Sequence, residues 1–379
     1  MKDRITMTRE QLRIYNLALK VIEGDRTIED FSLKIGKSYR QAQRIIKKIR
    51  EKDFTGVLHG NAGKTPHNKH SFKLEEEIVQ LLKTKYQGFN LTHFRETILE
   101  EEKLWIGKTL LQDLAKKHGL EKHKKRSSRK VHKPRPRHSQ EGSLVQFDGS
   151  PHLWFGKVHS VLLLAIDDAT GKILGAEFRT GETSLGGLSV IKDVIEEYGI
   201  PEAFYFDQAG IYGKVDRDFT SQIARALQVV GSKLLIASSA QAKGRVERAF
   251  RTLQDRLIAE LAHFNVRDFE AANMYLKNIF IPQFNKRFGV DAVNPTKAYH
   301  PNIFEDLQLI FCRKEQRKIQ CGNVFSYQGY NWIVNEIFNH QHRLVNINTH
   351  LDGSQSFDIL GRRIKVRKEA RNFRYLNAG

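Results

Sequence analysis

The stretch LVQFDGSPHLWF at 144–155 decides the fold, because it sets an acidic residue, Asp148, in an apolar segment with the pattern of a strand. Two further segments do the same: Asp207 ends the apolar run of FYFDQAG, and Glu247 lies in the helical segment QAKGRVERAF. The three acids belong to different predicted elements, so they can meet only in a folded core. Three carboxylates at one point repel each other unless divalent cations neutralise them. In a basic chain, this set indicates metal-dependent chemistry on nucleic-acid phosphates.

The segments around Asp148 predict an α/β domain over 143–265. SLVQFD, KVHSVLLLAIDD, KILGAEFRT, AFYFD and KLLIAS have strand patterns, with helices between and after the later ones. An ATG turn makes the second and third strands a hairpin. Asp167 and Asp168 directly precede that turn and compete with Asp148 for the first acidic position. We interpret them as turn residues. We predict a mixed five-stranded sheet covered by helices.

Two segments follow this domain. Residues 266–305 predict a helical extension, and 306–370 contain short strands separated by Gly and Asn turns. Such strands are typical of a small β-barrel. The barrel segment is also basic, so it is expected to touch DNA or a second subunit.

The first 60 residues predict a helix-turn-helix domain. Thr8 and Gln11 form a candidate capping box, Gly36 is a candidate turn, and SYRQAQRIIKKIR is a basic amphipathic helix. The last helix of a helix-turn-helix enters the major groove of DNA. The residues expected to contact DNA there are Arg40, Gln41, Arg44, Lys47 and Lys48.

Three more predicted helices occupy 70–120, in an order that favours a second helix-turn-helix-like, DNA-binding domain. The alternative for either helical unit is a bundle that merely docks on its neighbours. A basic segment, 121–142, follows, and its low apolar content predicts a linker that also contacts DNA phosphates. Its expected contact residues are Lys124, Lys125, Arg126, Arg129, Lys130, Arg135 and Arg137.

The bulk composition agrees with a nucleic-acid partner. The chain has 379 residues, long enough for two to four domains, and a net charge of +20. Two cysteines are too few for a disulfide scaffold, and the longest aliphatic run, VLLLAI, is too short to span a bilayer. We therefore expect a cytoplasmic protein with no membrane partner. No GxxxxGK[ST] sequence occurs, which argues against a P-loop NTPase.

With 58 residues between Asp148 and Asp207 and 39 between Asp207 and Glu247, the chain resembles the DDE transposase and retroviral-integrase superfamily. QFDGSPHLWF, IDDATGKILG and SSAQAKGRVERAFRTLQDRL are similar to the bacterial insertion-sequence transposases of the ISNCY group. Two features depart from the superfamily: Gln-Ala-Gly follows Asp207 in place of the common Asn-Gly, and the last gap is somewhat longer than usual. Neither removes an acidic residue, so both bear on loop geometry.

The resemblance implies an RNase H-like integrase catalytic core. It implies that Asp148, Asp207 and Glu247 are the catalytic metal ligands, holding two Mg²⁺ or Mn²⁺ ions. It also implies that basic residues near the Glu-bearing helix contact the phosphates of the transposon ends, namely Lys243, Arg245, Arg248 and Arg251. His152 and Trp154 have two interpretations: they position the scissile phosphate or stack on a base, or they pack against the sheet edge.

The predicted function is that of a DNA transposase. It would bind the terminal repeats of a mobile element as double-stranded DNA, cleave the 3′ ends and transfer them to target DNA. Because two ends must be joined together, the working unit is at least a homodimer on DNA. Two alternatives keep the fold: a metal-dependent nuclease that only hydrolyses, and a DNA-binding regulator with an inactive core.

Overall fold

A computed structural model describes residues 7–59, 61, 70–120, 135–156, 159–207, 219–237, 244–336 and 340–370. The chain divides into two compact units, Met1–Glu75 and Glu76–Gly379. Within the described ranges, no helix combines the length and apolar character that crossing a membrane requires.

The first unit contains three helices, α1 (Arg9–Ile22), α2 (Ile28–Ile35) and α3 (Tyr39–Lys52), followed by a 3₁₀ turn. The predicted capping box is confirmed: Gln11 N donates to Thr8 Oγ1 at 3.2 Å, and Thr8 N donates to Gln11 Oε1 at 2.9 Å. Gly36 ends α2 with a φ of 63°, a left-handed conformation that glycine adopts without strain. One apolar core joins the helices, formed by Ala18, Val21, Phe31, Ala42, Ile46 and Ile49.

Three further helices follow: α4 (Phe72–Lys83), α5 (Leu91–Glu101) and α6 (Lys108–Lys117). Asn90 caps α5, since its side chain accepts from His93 N at 2.8 Å. The buried apolar side chains of these helices recur at helical spacing, at Ile78, Val79, Leu82, Phe94, Ile98, Leu111, Leu114 and Ala115.

A mixed five-stranded sheet forms the centre of the second unit. Its strands are β1 (Val145–His152), β2 (Ser160–Asp167), β3 (Ile173–Arg179), β4 (Ala203–Asp207) and β5 (Lys233–Ala237). Their order is β3-β2-β1-β4-β5, with β3, β2 and β1 antiparallel and β1, β4 and β5 parallel. The predicted mixed five-stranded sheet is therefore confirmed.

Helices cover both faces of this sheet. On one face lie α7 (Ser184–Tyr198) and α8 (Phe219–Val230), and on the other lie α9 (Gly244–His263), α10 (Phe269–Tyr275) and α11 (Ile281–Phe288). A π-helical turn, Leu276–Phe280, joins α10 to α11. Because both faces are covered, every residue of β2 is buried, which explains its continuous apolar run.

Short strands dominate the C-terminal part, as predicted, after a single helical turn, α12 (Leu307–Ile310). They are β6 (Arg313–Lys318), β7 (Val324–Tyr327), β8 (Tyr330–Val334), β9 (Leu344–Thr349), β10 (Gln355–Ile359), β11 (Arg362–Arg363) and β12 (Val366–Ala370). They form two antiparallel sheets, β11-β10-β9-β6 and β12-β8-β7, and one core contains Phe325, Trp332, Val345 and Phe357.

Helix α8 of the α/β domain anchors these C-terminal sheets. The Gln222 side chain donates to Lys314 O at 2.7 Å and accepts from Lys314 N at 2.9 Å. Arg225 donates to the carbonyls of Ile310 at 3.0 Å and Cys312 at 2.6 Å. These side chains of α8 bond to backbone groups of β6 and of the residues just before it. The C-terminal sheets are therefore attached to the α/β domain through their backbone.

Candidate active site

Asp148 lies in the middle of β1 and is partly buried. Its neighbour across the sheet is Leu164 of β2, and the flanking pairs are Gln146 with Ile166 and Ser150 with Leu162. The three β2 residues belong to the apolar core beneath α9. Because alternate strand residues share a face, Asp148 lies with Gln146 and Ser150 on the α9 side of the sheet.

Gly149 is the residue after Asp148, and its backbone lies close to an acidic side chain. A Cβ atom at this position would lie 3.0 Å from Cδ of Glu182 and 3.2 Å from both of its carboxylate oxygens. The Glu182 carboxylate thus approaches the backbone beside Asp148. Nothing in the sequence pattern indicated this additional acid near β1.

Asp207 is the last residue of β4, which pairs in parallel with β1. The register joins Val145 to Phe204 and Gln146 to Tyr205. Asp148 and Asp207 each lie two residues beyond the last of these pairs, on neighbouring strands of the sheet. The side chain of Asp207 lies outside the described part of the structure.

Glu247 is exposed in the first turn of α9. Its neighbour Val246 donates its backbone N–H to Gln146 Oε1 at 3.2 Å, and Gln254 donates to Ser150 Oγ at 3.3 Å. Eight helical residues rise about 12 Å and four strand residues about 13 Å, so the helix runs alongside β1. The first turn of α9 is thereby held beside the strand that carries Asp148.

Among the described side chains, no group of three or more His, Cys, Asp or Glu could hold a metal ion. The position 207 side chain is not one of those described. The acids at 148, 207 and 247 are all carboxylates, the hard oxygen donors that suit Mg²⁺ and Mn²⁺. The chemistry of the donor set therefore fits a hard divalent cation.

The competing acids, Asp167 and Asp168, are structural. Asp167 is fully buried and accepts from Gly142 N at 2.9 Å and from both N and Oγ1 of Thr170 at 2.7 Å. Burial is the main cause that raises the pKa of Asp167 above its ordinary 3.8, against these hydrogen bonds. Both acids lie where β2 turns into β3, so their interpretation as hairpin turn residues is confirmed.

Asp168 is also fully buried, and donors surround its carboxylate. It accepts from the Arg135 guanidinium, from His138 N at 2.9 Å and from Gln146 Nε2 at 2.7 Å. Arg245 Nε lies 3.5 Å from the same carboxylate, an ion-pair distance without hydrogen-bond geometry. Gln146 is therefore a bridge: its amide joins Asp168 to the first turn of α9.

The residues expected to contact DNA fall into three groups. On α3, Arg40, Gln41, Arg44, Lys47 and Lys48 are all exposed, and on α9 Arg248 and Arg251 are exposed as well. Arg135 and Arg245 are partly buried and contact Asp168, whereas Arg137 is exposed and donates to Ala169 O at 3.0 Å. The remainder lie outside the described residues, namely Lys124, Lys125, Arg126, Arg129, Lys130 and Lys243.

Burial lowers the pKa of Arg245, and the neighbouring guanidiniums of Arg137, Arg135 and Arg248 lower it further, while Asp168 raises it. An arginine stays protonated near neutral pH, so the lowered pKa reflects the cost of burying this charge and, to a smaller extent, of placing other guanidiniums beside it. The start of α9 is therefore strongly positive.

Trp154 packs in the core. Its side chain is fully buried, its Nε1 donates to Ser150 O at 2.9 Å, and its ring meets Phe178 edge-on at 5.7 Å between centroids. Of the two interpretations, packing against the sheet is correct and base stacking by Trp154 is wrong. His152 is partly buried, and the centroid of its ring lies 5.5 Å from that of Trp154.

The second helical segment docks on α9 through polar contacts. Asn90 donates to Asp255 at 2.7 Å, and Arg256 donates to Glu96 at 2.6 Å. His93 Nε2 lies 2.7 Å from Glu260, a carboxylate that also accepts from the Tyr275 hydroxyl. Helix α5 therefore docks on a neighbouring helix, which is the alternative interpretation given above for this segment. Helix α6 has exposed residues, namely Lys108, Thr109, Gln112, Asp113, Lys116 and Lys117.

Two transposases are similar to the chain over most of its length. One is the transposase y4bF of Sinorhizobium fredii (strain NBRC 101917 / NGR234), 30% identical over 342 residues, which cover 88% of this chain and 74% of that protein. The other is the transposase for insertion sequence IS1202 of Streptococcus pneumoniae, 30% identical over 371 residues, with coverages of 84% and 77%. No family model matches the chain.

Solved structures give more distant likenesses. The HTLV-2 integrase catalytic core domain in complex with magnesium (dimeric form) has a TM-score of 0.28 at 16% identity, covering 37% of this chain and 89% of that one. The simian T-cell lymphotropic virus intasome in complex with PP2A regulatory subunit B56 gamma has a TM-score of 0.33 at 11% identity, covering 76% and 99%. The family assignment comes from the two sequence relatives.

Proposed function

The chain belongs to the insertion-sequence transposases, and from that premise we propose that it binds the two ends of a mobile DNA element, cleaves each 3′ end and transfers it to target DNA. In the transfer, the freed 3′ oxygen forms a bond to a target phosphorus, and the target 3′ oxygen leaves. The observation that carries the proposal is the hydrogen bond from Val246 N to Gln146, which holds the first turn of α9 beside β1.

We propose that Asp148, Asp207 and Glu247 hold two Mg²⁺ or Mn²⁺ ions. Support comes from the parallel register of β1 with β4, from the partly buried position of Asp148 and from the all-carboxylate donor set. When bound, such ions activate the attacking oxygen and stabilise the leaving one. The carboxylates would supply the negative charge that binds the ions, on strands that fix their positions.

The exposed arginines of α9 would hold the DNA backbone. Arg248 follows Glu247 directly, and Arg251 lies one helical turn beyond it at i+4. Two guanidiniums beside an exposed carboxylate would offset its repulsion of phosphates and align the scissile bond. In the separate N-terminal unit, α3 would read the sequence of the element end through its exposed polar side chains.

Two element ends must be held together for joint transfer, so we propose that the active assembly is a homo-oligomer of at least two copies on double-stranded DNA. The chain's net charge of +20 supports an affinity for DNA.

The proposal is tested with purified protein, Mg²⁺ and labelled DNA that carries the element ends. Joined products are the expected result. Nicked products without joining would instead indicate a nuclease, and DNA retention without cleavage would indicate a regulator with an inactive core.

The metal ligands are tested one at a time. Asp148→Asn, Asp207→Asn and Glu247→Gln should each abolish Mg²⁺-dependent cleavage while DNA affinity is kept. Glu270→Gln is the matched control, because Glu270 is also an exposed glutamate in the first turn of a helix, α10. A variant at 148, 207 or 247 that cleaves as well as the control would remove its residue from the ligand set.

A further inference from the structure

A cavity of about 170 Å³ opens between the β2–β3 turn, the first half of α9 and α11. Its polar lining includes the side chains of Arg137, Arg245 and Arg248. Its apolar lining includes Ile166, Phe284 and Phe288. The cavity thus combines guanidinium groups with aromatic rings.

The charge around this cavity is unbalanced. Asp168 is the carboxylate that pairs with Arg135 and Arg245, and it is fully buried. Arg137 donates to a neutral partner, the carbonyl of Ala169, and Arg248 is exposed at the rim. Four guanidiniums around one carboxylate leave a net positive site, which favours an anionic ligand.

The β2–β3 turn accommodates Arg137 at this place. Gly171 has a φ of +70°, and a Cβ on it would lie 3.2 Å from Arg137 Nη1. A residue with a side chain would strain the turn and crowd the guanidinium. The turn therefore leaves room for Arg137, whose guanidinium donates to Ala169 O at 3.0 Å.

The aromatic lining indicates what the anion is attached to. Phe284 is buried, Phe288 is partly buried, and their ring centroids are 4.8 Å apart. Arg256 covers Phe288 with its guanidinium 4.9 Å from the ring centroid. A free phosphate would leave this apolar surface unused, whereas a group with an anionic part and a flat aromatic part would contact both linings.

We infer that this cavity is a subsite for one unpaired nucleotide of a DNA end, with its phosphate on the arginines and its base against the phenylalanines. The inference rests on the proposed function for the nature of the DNA. A paired base cannot enter so small a cavity, because it is enclosed in the stack and must be turned out first. Arg248 follows Glu247 in α9, so the unpaired nucleotide would lie next to the proposed cleavage position.

The test compares the affinity of the full chain for two duplexes of the same sequence, one blunt and one with two unpaired nucleotides at its end. Binding is measured by fluorescence anisotropy in EDTA, with 2-aminopurine at the unpaired position to report stacking. Wild type should bind the unpaired end about 5 to 150 times more tightly, the range that base–aromatic stacking gives. The 2-aminopurine emission should be quenched on binding.

Two variants should remove the preference for the unpaired end. Arg248→Ala changes an exposed residue, so the fold should be unaffected. Phe288→Leu keeps an apolar side chain but removes the aromatic ring. Lys286→Ala is the matched control, because Lys286 is an exposed cation on α11 that does not line the cavity. The control should bind both duplexes more weakly and keep the preference.

Equal affinity of wild type for the two duplexes would overturn the inference. So would equal loss of preference in Arg248→Ala and Lys286→Ala, because general charge would then explain it. The proposed function fails separately: a protein that never cleaves DNA with Mg²⁺ could still prefer the unpaired end in EDTA.

Discussion

Replacing Gln146 with leucine should loosen the first turn of α9 and impair the proposed active site. Gln146 is fully buried, and its amide makes two hydrogen bonds. One runs from Nε2 to the buried Asp168 carboxylate at 2.7 Å, and the other runs from Val246 N to Oε1 at 3.2 Å. Leucine has a similar size, so Gln146→Leu removes the bonds and leaves the packing nearly intact.

The magnitude follows from the two bonds. A hydrogen bond to a charged group contributes about 1.5–3 kcal/mol, and a buried N–H left without a partner costs about 1–3 kcal/mol. Burying the apolar leucine side chain offsets about 1 kcal/mol of this loss. The free energy of unfolding should therefore fall by about 1.5–5 kcal/mol. Cleavage should fall by about a hundredfold, the cost of a small misplacement of a catalytic group, with DNA affinity unchanged.

Three measurements check this prediction: urea unfolding, amide hydrogen exchange in the first turns of α9, and Mg²⁺-dependent cleavage. Gln254→Leu is the matched control, since Gln254 also joins α9 to β1 but through one neutral 3.3 Å bond to Ser150. The control should lose about 0.5–1 kcal/mol and retain its cleavage rate. The reasoning is refuted if Gln146→Leu matches the control in stability, in exchange at the start of α9 and in cleavage.

Three other changes have defined outcomes. Arg44→Ala, on the exposed side of α3, should weaken binding of the element end by about 1–3 kcal/mol, measured by anisotropy at fixed salt; unchanged affinity would exclude a base contact. Arg256→Met should lower the free energy of unfolding by about 2 kcal/mol, because it breaks the 2.6 Å pair with Glu96, whose side chain is 25% exposed; an unchanged urea midpoint would contradict this. The pKa of Asp167 is raised above 3.8 by burial, so wild type pays a desolvation cost at neutral pH that protonation relieves. The stability of wild type relative to Asp167→Asn should therefore increase as the pH falls through that raised pKa, and a pH-independent difference in urea unfolding would disprove it.

The second helical segment illustrates where sequence reasoning left a choice open. Its three helices follow from apolar spacing and from the Asn90 cap, all of which are local signals. The docking of α5 on α9 depends on Asn90 with Asp255 and on Arg256 with Glu96, pairs that lie 165 and 160 residues apart in the chain. Polar side chains on a helix have the same pattern whether they meet water or a partner.

The amino-acid sequence by itself determined the elements whose cause is local: the Thr8 capping box, the continuous apolar run of β2 and the hairpin turn at Asp167 and Asp168. Together with the family resemblance, it also selected Asp148, Asp207 and Glu247 as candidate ligands. Only the tertiary structure decided that Gln146 joins Asp168, 22 residues away, to Val246, 100 residues away. The physical reason is that a buried amide stabilises the fold only when donors and acceptors of the folded chain bond to it. The spacing of residues in the sequence does not encode which groups those are.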